Sequence, residues 1–250
     1  GGAGDGFAAL AQADRAVQGG VRLGHGLSLS AETGSGDRRM PLQRVEDEAS
    51  SYSRAMLAWR SQAGGVSLGL GGLDERLGPL GAWMPSSSEM ALPSRTRFYA
   101  LAGDWAVSPR VGLFGEASMG RTEIEGRLIG TEGAATSLAW RFGAAAGCKG
   151  WSLLCDRVTL SLGQPLRIEH GQLTALLADV PLDYFDPLTF SQRRFSAAPS
   201  GRQIDLTLAG ERRLADGSTV TVQGIASREP QHIAGAKPGF SLIGAWRRAF

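Results

Sequence analysis

The sequence predicts an all-β fold: a closed, antiparallel transmembrane β-barrel of twelve strands, preceded by a short N-terminal helix or linker. Three observations predict it. Apolar and polar residues alternate with period two over most of the chain. No long helical pattern separates consecutive strands, which argues against a parallel α/β sheet. The polar face combines small residues with ionisable ones, while aromatics stand where strands would cross an interface.

The elements follow in order. Residues 1–20, GGAGDGFAALAQADRAVQGG, are rich in small residues, and Phe7, Leu10 and Val17 have loose helical spacing. They read as a linker or short helix inside the pore, with residues 21–250 as the barrel. VRLGHGLSLS sets Val21, Leu23, His25, Leu27 and Leu29 on one side of a first strand. SYSRAMLAWR, GGVSLGLGG and RTRFYALAGDWAV continue the series, separated by the long loop 78–95 with Trp83, Met84 and Met90. RVGLFGEASMG, TSLAWRFGA and RVTLSLG alternate cleanly, with Leu113, Trp140, Phe142 and Leu160 on apolar positions. GQLTALLADV is nearly continuous in apolar residues, and FSQRRFSAAPSG is the doubtful strand because of Pro199. RQIDLTLAGE, TVTVQGIAS and FSLIGAWRRAF complete the twelve.

Alternation alone does not say which face is inward. A soluble ligand-binding barrel would turn its apolar parity inside. A membrane barrel turns it outside, and its sheet must close because lipid cannot satisfy a free edge. Charges on the polar parity at Glu116, Arg141, Arg157, Asp205 and Glu211 favour the second arrangement, since a dry core penalises each unpaired charge. These five are the candidates to line the lumen, either gripping a polypeptide in the channel or pairing with one another. The formal charge of +2 and the scattered arginines give no nucleic-acid surface. No apolar run is long enough for a transmembrane helix.

On the last strand Phe240, Leu242, Gly244, Trp246, Arg248 and Phe250 share one parity. This ending resembles the C-terminal signal strand of bacterial outer-membrane proteins, with Trp246 and Phe250 as its assembly signal. The segments RVTLSLGQPLRIEHG, APSGRQIDL and EPQHIAGA, within residues 157–250, resemble the C-terminal translocator barrel of autotransporters, in particular those that follow subtilisin-like S8 serine-peptidase passengers. The resemblance implies a bacterial outer-membrane protein that secretes and anchors an N-terminal passenger. Its partners would be outer-membrane lipid and lipopolysaccharide, the barrel assembly machinery, and its own passenger or a cleaved passenger fragment. The chain begins at Gly1 without a signal peptide and is expected to be a processed or excised part of something longer. It has no HGTH or GTSMA element, so no peptidase triad carries over.

No catalytic, metal or cofactor residues are assigned, and this segment is expected not to be an enzyme. His25, His170 and His232 are separate in sequence and have no metal-ligand spacing. Cys148 and Cys155 would close a short hairpin-like loop if oxidised; two free thiols are the alternative. The rival readings are a passenger-less outer-membrane channel or structural barrel, and an outer-membrane barrel enzyme acting on lipid.

Overall fold

A computed structural model describes residues 7, 10, 13–36, 50–76, 78–81, 92–148, 155–179, 183 and 187–248. The strands are β1 (Arg15–Gly24), β2 (Leu27–Gly36), β3 (Ser50–Arg60), β4 (Gly64–Glu75), β5 (Ser94–Ala106), β6 (Val111–Ile124) and β7 (Ile129–Thr131). They continue with β8 (Ala135–Gly147), β9 (Arg157–His170), β10 (Gln172–Ala178), β11 (Phe190–Ser196), β12 (Ile204–Arg213), β13 (Thr219–Arg228) and β14 (Gly239–Arg247). Short 3-10 turns lie at Pro79–Gly81 and Pro230–His232.

Eleven strands form one antiparallel sheet in the order β1-β2-β3-β4-β5-β6-β8-β9-β12-β13-β14. A second, three-stranded sheet has the order β11-β10-β7. Neither sheet is closed: among the described residues, β1 and β14 are the two ends of the large sheet and do not pair. The predicted closed twelve-stranded barrel is therefore wrong, and the strand count shows why. Two of the twelve predicted strands, GQLTALLADV and FSQRRFSAAPSG, contribute β10 and β11 to the small sheet. One predicted strand, VRLGHGLSLS, is a hairpin: Gly24, His25 and Gly26 take φ of 96°, 50° and 78°, and Val21 pairs with Leu29. Glycines on both sides of His25 make that turn accessible. The resulting eleven strands alternate in direction. The first and last then run the same way, so they have no antiparallel pairing with each other.

This overturns every expectation that required closure. The likeness to autotransporter translocator barrels does not hold at the level of the fold. Secretion of a passenger through a pore, the passenger-less channel, transmembrane strands and an outer-membrane location all lose the barrel on which they rested. The strand β1 begins at Arg15, within the span read as a linker, and Phe7 and Leu10 lie on helical backbone before it.

The sheet has two unlike faces. On β5, Ser94, Thr96, Phe98 and Ala100 are buried, whereas Arg95, Arg97, Tyr99 and Leu101 are exposed. The buried set of the molecule is mostly polar or small: Ser50, Glu75, Thr96, Thr122, Ser137, Ser161 and Gln164 are all under a tenth exposed. The large aliphatic side chains stand on the other face. A small apolar cluster of Phe7, Tyr52, Leu73 and Phe98 sits on the polar face, with Leu10, Leu80 and Leu166 against it. Three of its rings, and one beyond it, lie over glycine. Tyr52 covers Gly34, Phe98 covers Gly71 and Phe114 covers Gly143, each on the cross-strand partner, and Phe7 covers Gly120. A ring can lie flat on a strand only where the opposite residue has no side chain.

Candidate functional site

The chemistry of the chain gathers at the end of β9 and in the turns that precede β12 and follow β13. The segments SLGQPLRIEHG, APSGRQIDL and EPQHIAGA, far apart in sequence, meet there around Glu169. Arg167 Nη1 and Arg202 Nη2 donate to Glu169 Oε2 at 2.6 and 2.5 Å, and Gln164 Nε2 donates to Oε1 at 2.9 Å. Arg202 Nη1 also donates to Gln164 Oε1 at 2.5 Å. Arg167 also donates to the carbonyls of Gly201, Pro199 and Ile168. A buried charge is tolerated when its hydrogen-bonding capacity is met in this way.

The burial of Gln164 comes from the side chains laid over it. It shares strand parity with Leu160, yet Leu160 is 51 % exposed and Gln164 only 2 %. The β8–β9 register holds as far as Trp140 and Gln164, which face each other, and shifts only beyond them, so Gln164 keeps the parity of Leu160 and is covered by Arg202 from the segment before β12.

His232 closes the cluster from the turn after β13. Its Nδ1 accepts the backbone N–H of Gln203 at 2.9 Å, so Nε2 carries the proton and donates to Leu166 O at 3.2 Å. Burial, aided by the nearby Arg167, holds its pKa below the ordinary histidine value. Both ring nitrogens are engaged in holding two segments together. The turn is strained: Glu229, Gln231 and His232 have φ of 48°, 58° and 58°. Compensating bonds surround it, with Arg202 N on Glu229 Oε2, Gln231 N on Gln203 Oε1 and Gly201 N on His232 O. Gly201 itself leaves no room for a side chain, since a Cβ there would lie 2.4 Å from the backbone nitrogen of Ala234.

One carboxyl, Glu169, and one imidazole, His232, thus tie this region to pH in one direction. Burial opposes the charge of Glu169, but hydrogen bonds from Gln164 and Arg202 and the charge of Arg167 outweigh it and hold the carboxyl below its usual range. For both groups the folded pKa is depressed, so their stabilisation is full above the unfolded pKa and is lost as pH falls towards the folded one. For His232 that window opens below about 6.5. We expect the melting temperature to fall between pH 8 and pH 5, and His232→Asn, which suits the left-handed backbone, to flatten that dependence. An unchanged slope in the variant would place the titration elsewhere.

Next to the cluster lies a cleft of about 500 Å³, lined by Phe7, Glu116, Arg141, Gln164, Asp205 and Gln223 among others. Glu116 and Arg141 face each other across β6 and β8 and pair at 2.9 Å, with the Arg141 guanidinium 5.9 Å from the Phe114 ring centroid. Asp205 accepts two hydrogen bonds from Gln203 Nε2 at 2.9 and 3.1 Å. Arg157 and Glu211 stand opposite one another in the β9–β12 register, beyond the cleft. The structure therefore brings Glu116, Arg141 and Asp205 to one cleft and sets Arg157 and Glu211 apart.

A second, half-buried polar network, not anticipated from sequence, joins β2 and β3. Arg54 Nε and Nη2 donate to Glu32 Oε2 at 2.8 and 2.6 Å, and Tyr52 Oη donates to Glu32 Oε1. Glu32 and Arg54 are register partners, which a correct placement of the first hairpin would have shown.

His25 lies in the β1–β2 turn and His170 at the end of β9, each away from His232. Cys148 and Cys155 form a disulfide with a Cα–Cα distance of 5.7 Å. Trp246 lies exposed on β14, and Phe250, Trp83, Met84 and Met90 lie outside the described residues. The fold and the site together define an amphipathic antiparallel sheet with an ion-paired polar face. No protein-family model matches the chain, and no curated protein and no solved structure matches it.

Proposed function

We propose that this chain is a lipid-contacting binding module, whose large sheet lays its apolar face against acyl chains while its polar face holds side chains and polypeptide. The observation that carries the reading is the inverted burial. Val21, Leu29, Leu57, Leu68 and Leu101 form one row across five strands, in register, and are 53, 44, 43, 53 and 52 % exposed. Leu113, Phe142, Leu160, Leu206, Leu208 and Leu242 extend the same face. A contiguous apolar surface of this extent marks an interaction site.

Banding along the strands favours lipid over a protein partner. Trp59, Trp105 and Trp246 lie exposed near the ends of β3, β5 and β14 that adjoin short turns or the chain end. At the opposite ends the same face carries the exposed Asp74–Arg95 ion pair, with Arg97, Arg121 and Glu123 beside it in the ladder. Tryptophan at one level, aliphatic side chains between and charges at the other level is the layering of a lipid interface. We assign no reaction to this chain; His232, the histidine nearest the cleft residues, has both nitrogens engaged.

The test is flotation with neutral phosphatidylcholine vesicles. We expect the chain to float with them, with little dependence on salt because the row carries no charge. Leu68→Asp together with Leu101→Asp is expected to weaken binding at least tenfold without altering the polar face. A chain that stays with the vesicle-free fraction, or binds only when a second protein is added, would overturn the lipid reading.

A further inference from the structure

The two outermost strands of the large sheet each keep one edge without a neighbouring strand among the described residues. Because eleven antiparallel strands put β1 and β14 in the same direction, joining β14 of one copy to β1 of the next, with like faces aligned, would make a parallel pair. Parallel pairing is the weaker kind, and that arrangement has no natural end. Pairing one edge with itself about a two-fold axis is antiparallel and closed.

The edge of β14 fits such self-pairing. An axis normal to the sheet keeps faces on their own side, so paired residues must share parity. Centred on Ile243, the register sets Leu242 opposite Gly244, Ser241 opposite Ala245, Phe240 opposite Trp246 and Gly239 opposite Arg247, using all nine residues of the strand. Phe240 and Trp246, 75 and 61 % exposed, become a cross-strand aromatic pair on the apolar face. The one charge of the strand faces a glycine, and no proline interrupts the ladder. Other registers lose these features. Centring on Leu242 sets Trp246 against Pro238, and centring on Gly244 sets Phe240 against Arg248. The β1 edge has adjacent glycines, Gly19 and Gly20, at its middle, which hold a ladder weakly.

We propose that two copies of this chain pair through their β14 edges, antiparallel and centred on Ile243, so that the apolar face runs unbroken across the dimer. The pairing does not rest on lipid contact. The test uses Ile243→Cys in the whole chain, in which Cys148 and Cys155 are already bonded to each other and the new thiol is the only free one. Mild oxidation in detergent is expected to convert most of the protein to a disulfide-linked dimer. Ser241→Cys, whose partner in this register is Ala245, is expected to give at least fivefold less. Ile243→Lys sets like charges on the axis and is expected to weaken the dimer at least tenfold by sedimentation. A monomer at tens of micromolar, or equal cross-linking at positions 241 and 243, would overturn the proposal. Dimers without vesicle binding would sink the lipid reading alone, and vesicle binding by a monomer would sink this one alone.

Discussion

Glu169→Ala is expected to destabilise the fold by about 1–3 kcal/mol, the cost of leaving a half-buried, hydrogen-bonded ion without its partner. Arg167, with its side chain 11 % exposed, loses its only carboxylate among the described ion pairs, while Arg202 is half exposed and can turn to water. For a chain of this size that loss lowers the melting temperature by roughly 5 °C. Glu169→Gln keeps hydrogen-bonding atoms in place but not the charge, and is expected to cost about half as much. Replacing both Arg167 and Glu169 by apolar residues is expected to cost less than Glu169→Ala alone, because Arg167 is then not left without its carboxylate. Thermal unfolding of the three variants checks this. Equal losses in the single and double replacements would mean that the pair acts through packing and not through its charges.

The cluster around Glu169 also shows how far the sequence could be read. Its three segments are the ones that stood out as distinctive, and they do meet in space, yet they did not carry the fold with them. Strand identity along most of the chain was legible because alternation is a local property: β4, β5, β6 and β8 lie where the pattern puts them. Sheet closure is not local. It depends on the parity of the strand count, and one misread turn at His25 together with one hairpin assigned to the wrong sheet changed that count. The site was hidden for a related reason. Gln164 reads as an outward residue on the parity of Leu160 and keeps that parity, facing Trp140; what buries it is Arg202, 38 residues away in sequence, which meets it and Glu169 only in the fold. Glu116 and Arg141, by contrast, sit on regular stretches, and their pairing follows directly from alternation once β6 and β8 are neighbours.

Phe7→Ala is expected to cost about 3–5 kcal/mol of local stability, the usual range for emptying a buried aromatic site. The ring is fully buried, stacked on Phe98 with centroids 4.9 Å apart and planes 6° from parallel. It rests on Gly120, where a Cβ would lie 2.6 Å from Phe7 Cζ and 2.9 Å from Ser137 Oγ. The contact joins the segment before β1 to the polar face at β5 and β6, so its loss releases the segment before it unfolds the sheet. Hydrogen exchange should therefore rise first at Leu10 and Ala13, ahead of the ladder residues Phe98 and Gly120, and leave the Glu169 cluster protected. Gly120→Val attacks the same contact from the other side, by filling the space the ring occupies. Its cost is expected to shrink in a Phe7→Ala background, leaving only the close approach to Ser137 Oγ, since the two substitutions share one interaction. If valine at 120 costs as much with Phe7 absent as with it present, the penalty belongs to the strand. The aromatic stack would then not be what holds the N-terminal segment on the sheet.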